Sequence, residues 1–200
     1  MRNFTRGILV MMSFMVLFSL LYADEISNQI DKAKSLYSQG KYSEAVSELN
    51  FAIGQIQSLQ VDRYKTAFPA PLSGWTAEDF EGNSAGMAFM GGGISVSRNY
   101  TTNNGATSVK IEVVSDSPLL SSIMMMFSNP MFLGGNKVVT VSGEKAVEEW
   151  NESDKSGQLQ IVVENRMLIT VNGSGLSGKS QLYDYANKID YAKLKSFMKM

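Results

Sequence analysis

The sequence predicts an α+β fold in which an N-terminal helical hairpin is followed by a mostly antiparallel β-sheet packed by two helices. Three observations carry this. From Glu25 to Gln60 apolar residues recur at spacings of three and four. From Ile94 to Val171 they alternate with polar ones in paired runs joined by turn residues. Stripes at helical spacing return after Ser117 and at the end of the chain. Helical spacing puts one side of a helix against a core, and strict alternation does the same for one face of a strand.

The chain begins outside that fold. Arg2 and Arg6 precede a mostly apolar run from Gly7 to Tyr22, and Asp24 and Glu25 end it. A basic start, an apolar centre and the small Ala23 make a secretory signal with cleavage after Ala23. The run is sixteen residues long, short for the ~20 that span a membrane, so a cleaved signal is the reading preferred to a retained anchor. The expected organisation is a signal peptide over 1–23, a helical hairpin over 24–60, a linker over 61–75 and an α+β domain over 76–200. The expected location is periplasmic or secreted.

In the hairpin, Ile30, Ala33, Leu36 and Tyr37 mark the first helix, and Ala45, Leu49, Ala52, Ile53 and Ile56 mark the second. Gly40 suits the left-handed residue that ends a helix. Ala33, Ala45 and Ala52 let the two helices approach closely. The stretch AKSLYSQGKYSEAVSELNFAI resembles one tetratricopeptide repeat, with its small residue at Ala33, turn glycine at Gly40, aromatic at Tyr42 and second-helix alanines at Ala45 and Ala52. Leu49 stands where that family commonly has an aromatic, no proline follows at the usual place, and no second copy occurs. Such repeats need about three units to bury a continuous core. The resemblance over 26–57 therefore implies a lone hairpin that packs on its own protein or on a partner.

Pro69 and Pro71 hold Phe68 and Ala70 extended, so Val61–Trp75 reads as a connector. Beyond it, runs at Ile94–Tyr100 and Val109–Val113 flank Asn104-Gly105, a dipeptide that accepts the positive φ values of a tight hairpin turn. Ser117-Pro118 opens a helix with a capping serine and a proline at the first position. Its stripe of Leu119, Leu120, Ile123, Met124 and Phe127 should cover the sheet face carrying Ile111 and Val113. Lys137–Ser142 and Ala146–Trp150 form a second strand pair around Gly143, and Leu159–Val163 and Met167–Val171 a third. A terminal helix presents Leu182, Ala186 and Ile189, followed by a short turn with Leu194 and Phe197.

The composition excludes several chemistries. There is no cysteine, hence no disulfide and no lipoprotein thiol anchor, and no histidine, the usual general base and commonest metal ligand. Eighteen Lys and Arg face nineteen Asp and Glu, and without Arg2 and Arg6 the chain stands near −3, so no nucleic acid is expected as partner.

Residues 173–180, GSGLSGKS, fit the phosphate-loop pattern G-x-x-x-x-G-K-[ST]. That motif works at the end of a parallel strand with a magnesium-ligating acid elsewhere. Here the preceding strands read as antiparallel hairpins and only twenty residues follow Ser180. No nucleotide is expected, and Lys179 reads as a surface charge. Ser142–Lys145 and Ser38–Lys41 read S-x-x-K without the companion motifs of serine acyl enzymes, and both fall in turns. Glu148 and Glu149 are neighbours in a strand, face opposite ways and read as solvated. No catalytic, cofactor or metal residue is assigned.

The methionines remain. Thioethers ligate Cu(I), but Met124, Met125 and Met126 point in three directions round a helix, and methionine commonly fills core gaps. Met125, Met126, Met131 and Phe132 are the apolar residues left for a ligand or partner.

The segments FPAPLSGWTAEDF (68–80), AGMAFMGGGISVSRNY (85–100), SDSPLLSSIMMMFSNPMF (115–132) and VVENRMLITVNGSG (162–175) together resemble an uncharacterised family of exported bacterial proteins. That resemblance implies a cell-envelope location and transfers no functional residue. The expected function is a non-enzymatic envelope protein acting as a protein–protein interaction module, through an unknown partner or self-association. The alternative is a small-molecule or lipid binder using the Met-rich groove. N-terminal sequencing of the exported protein should begin at Asp24, and a mature chain beginning at Met1 would overturn the signal assignment.

Overall fold

The computed structural model describes residues 25–83, 93–117, 120, 121, 125, 127 and 135–198. Residues 1–23, expected to be a signal peptide, lie outside them, as do Ile123, Met124, Met126, Met131 and Phe132. The chain divides into two compact units, one ending at Ser58 and one beginning at Leu59.

The first unit is a helical hairpin of α1 (25–38) and the greater part of α2, which runs from Tyr42 to Lys65 and whose last turns belong to the second unit. Gly40, at φ 74°, makes the left-handed turn, and Lys41 N–H returns to the Leu36 carbonyl at 3.0 Å. Ile26, Ala33, Ala45 and Ala52 are buried along the seam, where small side chains permit close approach. Glu48 of α2 accepts from Lys32 at 2.6 Å and from Gln29, so a polar pair of links also joins the helices. The larger apolar residues are elsewhere. Ile30, Tyr37, Leu49, Ile53 and Ile56, expected on the packing side, are exposed. The seam takes only small side chains, so the larger ones at neighbouring helical positions are left outside.

Helix α2 extends into the stretch expected to be a connector. Val61 and Tyr64, three residues apart, are buried in the core of the second unit, and that burial holds the last turns helical. The helix stops ahead of Pro69, and the N–H groups of Thr66, Ala67 and Phe68 close it on the carbonyls of residues 63–65.

The second unit is built on an eight-stranded antiparallel sheet. Its strands are β1 (Trp75–Ala77), β2 (Glu81–Asn83), β3 (Ile94–Thr102), β4 (Ser108–Ser115), β5 (Lys137–Val141), β6 (Glu144–Asn151), β7 (Ser156–Val163) and β8 (Met167–Ser174). The order is β1-β3-β4-β8-β7-β6-β5, with β2 also on β3. The three expected strand pairs are adjacent, and β1 and β2 add a short edge that has no alternating pattern to announce it. The turn between β3 and β4 is longer than the tight form. Only Gly105 has positive φ there, and Asn104 Oδ1 accepts from the Ala106 N–H instead.

Alternation gives the sheet two apolar faces. On the first, Val96, Tyr100, Val109, Ile111, Val113, Leu159, Ile161, Met167, Ile169 and Val171 are buried under α3 (Ser180–Ala186), α4 (Tyr191–Met198) and the end of α2. The Tyr185 ring lies 4.7 Å from that of Tyr100 and 5.2 Å from that of Trp75. Tyr100 donates to the Pro69 carbonyl at 2.8 Å, fixing the proline segment on this core. Burial pushes the Tyr100 hydroxyl up to about 12, so it stays a donor.

On the second face, Leu120 and Phe127 of the helical stretch after Ser117 pack with Val147, Val162 and Leu168, and Val114 touches them. This corrects the expected docking. The stretch covers the face of Val114, not that of Ile111 and Val113, which α3, α4 and α2 already fill. Asp116, at φ 52°, turns the chain as it leaves β4. No helix among the described residues is long and apolar enough to cross a membrane.

Leu120 is 5% exposed and Met125 is 67% exposed. Leu120→Ala should therefore leave a cavity and cost ~2–5 kcal/mol, while Met125→Ala should cost well under ~1 kcal/mol. Urea unfolding of both variants checks the order, and the reverse order would place the helical stretch in the wrong phase.

Candidate functional site

Among the described residues two surfaces are unlike an ordinary solvated exterior, one in each unit. The first is on the hairpin. Tyr42, Val46, Leu49, Ile53 and Ile56 follow one another along α2 at spacings of four and three, and each is exposed. Residues so spaced share one side of a helix. The Tyr37 ring of α1 lies 5.7 Å from that of Tyr42, so α1 extends the stripe. Its large side chains make it an apolar surface, whereas the neighbouring seam of Ala45 and Ala52 is closed.

The second is a cleft of 510 Å³ in the sheet unit, whose wall includes Asn136, Lys137, Glu148, Trp150, Glu152 and Lys179. Strand β6 supplies its floor. Ala146, Glu148 and Trp150 alternate onto the face that carries α3, so Glu148 points inward and is only 6% exposed. Its two oxygens are both engaged: Lys179 Nζ lies 3.1 Å from Oε1, and the Tyr183 hydroxyl donates to Oε2 at 2.6 Å. Lys137 stands directly across from it in the β5–β6 register. Burial raises the Glu148 pKa, but the Tyr183 and Lys179 hydrogen bonds and the Lys179 and Lys137 charges outweigh it. The carboxyl is held below the ordinary range and is ionised. The same contact, added to burial, pushes the Tyr183 hydroxyl well up, so it remains a donor.

Trp150 is fixed at both ends. Its Nε1–H donates to Glu152 at 2.7 Å, and Glu152 is held in turn by Lys155. Its six-membered ring lies over Gly157, the residue opposite it on β7, where an added Cβ would come within 2.8 Å of Cε3.

These placements correct two expectations. Glu148 is a buried, doubly bonded carboxylate, because a strand position between Ala146 and Trp150 on the same face must point inward; Glu149 is exposed, as its opposite facing requires. Lys179, though half-exposed, is the partner of that carboxylate and not merely a surface charge. The informative signal in the sequence was a charged residue at an inward position of an alternating run.

GSGLSGKS lies after β8, which is antiparallel to both of its neighbours. Gly173 and Gly175 serve packing, whereas a Cβ on Gly178 would meet nothing within 4 Å. A Cβ on Gly173 would come within 2.5 Å of Leu176 and 2.8 Å of Leu182, and Gly175, at φ 65°, would place a Cβ 2.4 Å from the Ala106 carbonyl. Ser142 and Gly143 form the β5–β6 turn, and residues 38–41 cover the end of α1 and the turn after it. Of the apolar candidates, Met125 is exposed, and Met126, Met131 and Phe132 lie outside the described residues. Among the described residues no group of acidic side chains is placed to hold a metal ion.

Because Glu148 is held below its ordinary value of 4.5, its ionised form stabilises the fold above that pH, and the contribution is lost as pH falls through the folded-state value. The stability difference between the native protein and Glu148→Gln should shrink between about pH 7 and about pH 3 in urea titrations. Lys179→Ala removes one partner from a buried charge and should cost ~1–2 kcal/mol after discounting solvent screening. A pH-independent Glu148→Gln difference would show that the carboxylate is not ionised in the folded protein.

No family model, curated protein or solved structure matches this chain, so the roles of hairpin and cleft rest on their own chemistry.

Proposed function

We propose that this protein is a non-enzymatic, exported component of a bacterial cell envelope that works as a protein–protein interaction module, with its hairpin as the contact element. The observation that carries this reading is the exposed stripe Tyr42, Val46, Leu49, Ile53 and Ile56. Scattered apolar residues on a surface are ordinary, but a contiguous row is characteristic of an interaction site. Spacings of four and three match the seam that one helix presents to another, so the occupant is an amphipathic helix with a complementary stripe. The hairpin of a second copy meets that description, and so does a helix of another envelope protein. The likeness to a single tetratricopeptide repeat supports the same use, since such hairpins bury apolar faces against further helices. The apolar run ending before Asp24 supports export.

A photo-crosslinking residue at Leu49 or Ile53 should give a discrete protein adduct in intact cells. One at Asn50, off the stripe, should not. Leu49→Glu with Ile53→Glu should abolish the interaction while changing the folding stability of the isolated protein by less than ~0.5 kcal/mol per site. No adduct from either stripe position, or the same adduct from Asn50, would overturn the reading. Unfolding of the hairpin by the two glutamates would show that the stripe is internal packing.

A further inference from the structure

We propose that the cleft between β5, β6 and the start of α3 is a binding site for an acidic saccharide, a pyranose ring carrying one carboxylate. The inference is independent of the hairpin and its partner.

The argument begins with size and chemistry. A volume of 510 Å³ falls within the range of ~300–1,000 Å³ typical of small-molecule sites. Its wall is not the apolar lining of a lipid site. It joins one aromatic ring, a buried carboxylate, an amide and ammonium groups, all on the sheet or at the edges of the adjoining loops.

Each of these matches one part of a sugar acid. The Trp150 indole is half-buried and anchored by Gly157 and Glu152, which makes it a rigid wall of the cleft. A pyranose ring presents an apolar C–H face that packs on such a surface, and a ring already fixed loses no side-chain freedom on binding. Glu148 is ionised and locked by Lys179 and Tyr183, each of which uses one lone-pair direction of its oxygen. Carboxylate oxygens accept more than one hydrogen bond, so Glu148 retains acceptor capacity for sugar hydroxyls in a fixed direction. Asn136 adds an amide able to both donate and accept.

Charge selects the acid. Glu148 is matched by Lys179, and Glu152 by Lys155. Lys137 lines the same cleft, is exposed, and has no ion pair among the described residues. With Lys155 beside the wall, three ammonium groups stand against the two carboxylates, so one is left over and one carboxylate on the ligand would balance it. A phosphate fits less well, although Gly178, Lys179 and Ser180 of the phosphate-loop pattern are on the wall. Lys179 is already bonded to Glu148, and that carboxylate would face a dianion at close range.

The test uses the full chain and titrates glucuronate, galacturonate and mannuronate, with their disaccharides, by calorimetry and by Trp emission. Glucose, galactose and mannose, their disaccharides and inorganic phosphate are the controls. At least one uronate should bind saturably below about 10 mM, more tightly than its neutral counterpart. Lys137→Ala should weaken that binding roughly tenfold or more, Lys137→Arg should largely restore it, and either should shift folding stability by less than ~1 kcal/mol, since Lys137 acts on Glu148 only through its charge. Trp150→Phe should weaken acidic and neutral sugars alike. Absence of saturable binding by every uronate overturns the proposal. So does equal binding of neutral sugars, tighter binding of phosphate, or an affinity indifferent to Lys137→Ala.

Discussion

The arrangement of the sheet unit depends on two glycines that face each other. Gly157 on β7 and Gly173 on β8 are partners in the register, and Trp150 on β6 is the next residue in the same row. A Cβ on Gly157 would collide with the Glu149 carbonyl and Trp150, and one on Gly173 would force the Leu176 and Leu182 side chains to shift. The row is a trough across three strands. Into one end goes the Trp150 indole, and into the other go the two leucines that seat α3. Glycine weakens a strand by sacrificing side-chain packing and backbone entropy, so it is kept where something else must come close. Here what comes close is both the cover of the main core and the wall of the cleft. A methyl group at Gly173 would press on Leu182 of α3, the helix that also carries Tyr183 to Glu148.

The hairpin solves its packing differently. Alanines at 33, 45 and 52 let two helices meet without large side chains between them, which leaves the larger apolar residues with no internal use. Apolar area buried in the seam contributes about 25 cal/mol per Å², and alanine seams bury little of it. The Glu48 contacts with Lys32 and Gln29 offset part of that shortfall. A stripe of five large residues left in water is the expected counterpart of a seam built from small ones. It is also what a second helix would bury.

How much of this could be read from the sequence follows from which constraints are local. The strand pairs were legible because alternation and turn residues are local, and β5 to β8 fall within a few residues of their expected bounds. The hairpin turn at Gly40 was legible for the same reason. β1 and β2 were not, because three-residue strands have no period and are made by pairing with β3. The face taken by the helix after Ser117 was not, because the competition for that face comes from α3 and α4, sixty or more residues later. Periodicity placed Leu49, Ile53 and Ile56 on one side of a helix but could not say whether water or protein lies there. The cleft was least legible. Glu148 meets Lys179 and Tyr183 across more than thirty residues of chain, and a loop pattern that suggested nucleotide chemistry drew attention to Lys179 for another reason.

That pattern shows how a motif and its mechanism can part company. A phosphate loop requires a lysine free to meet phosphate and backbone amides arranged around an anion. In GSGLSGKS the first glycine is a strand residue making room for Leu176 and Leu182, and the third residue, Gly175, is a turn pressed against the Ala106 carbonyl. Leu176 is buried, anchoring the loop to the core rather than leaving it to wrap a ligand. The lysine is bound to a buried carboxylate on another strand. Each residue type that the pattern needs is present, but Gly173 makes room for Leu182 of α3 and Lys179 is held by Glu148. What the commitment leaves over is a different kind of site. With Lys179 neutralised by Glu148, the remaining cation of the cleft is Lys137, on the opposite wall and across the β5–β6 pair. Any ligand anion must approach from that side, past the fixed indole of Trp150. The chemistry of the cleft is therefore set by β5 and β6, and the loop that first drew attention to it supplies only its far edge.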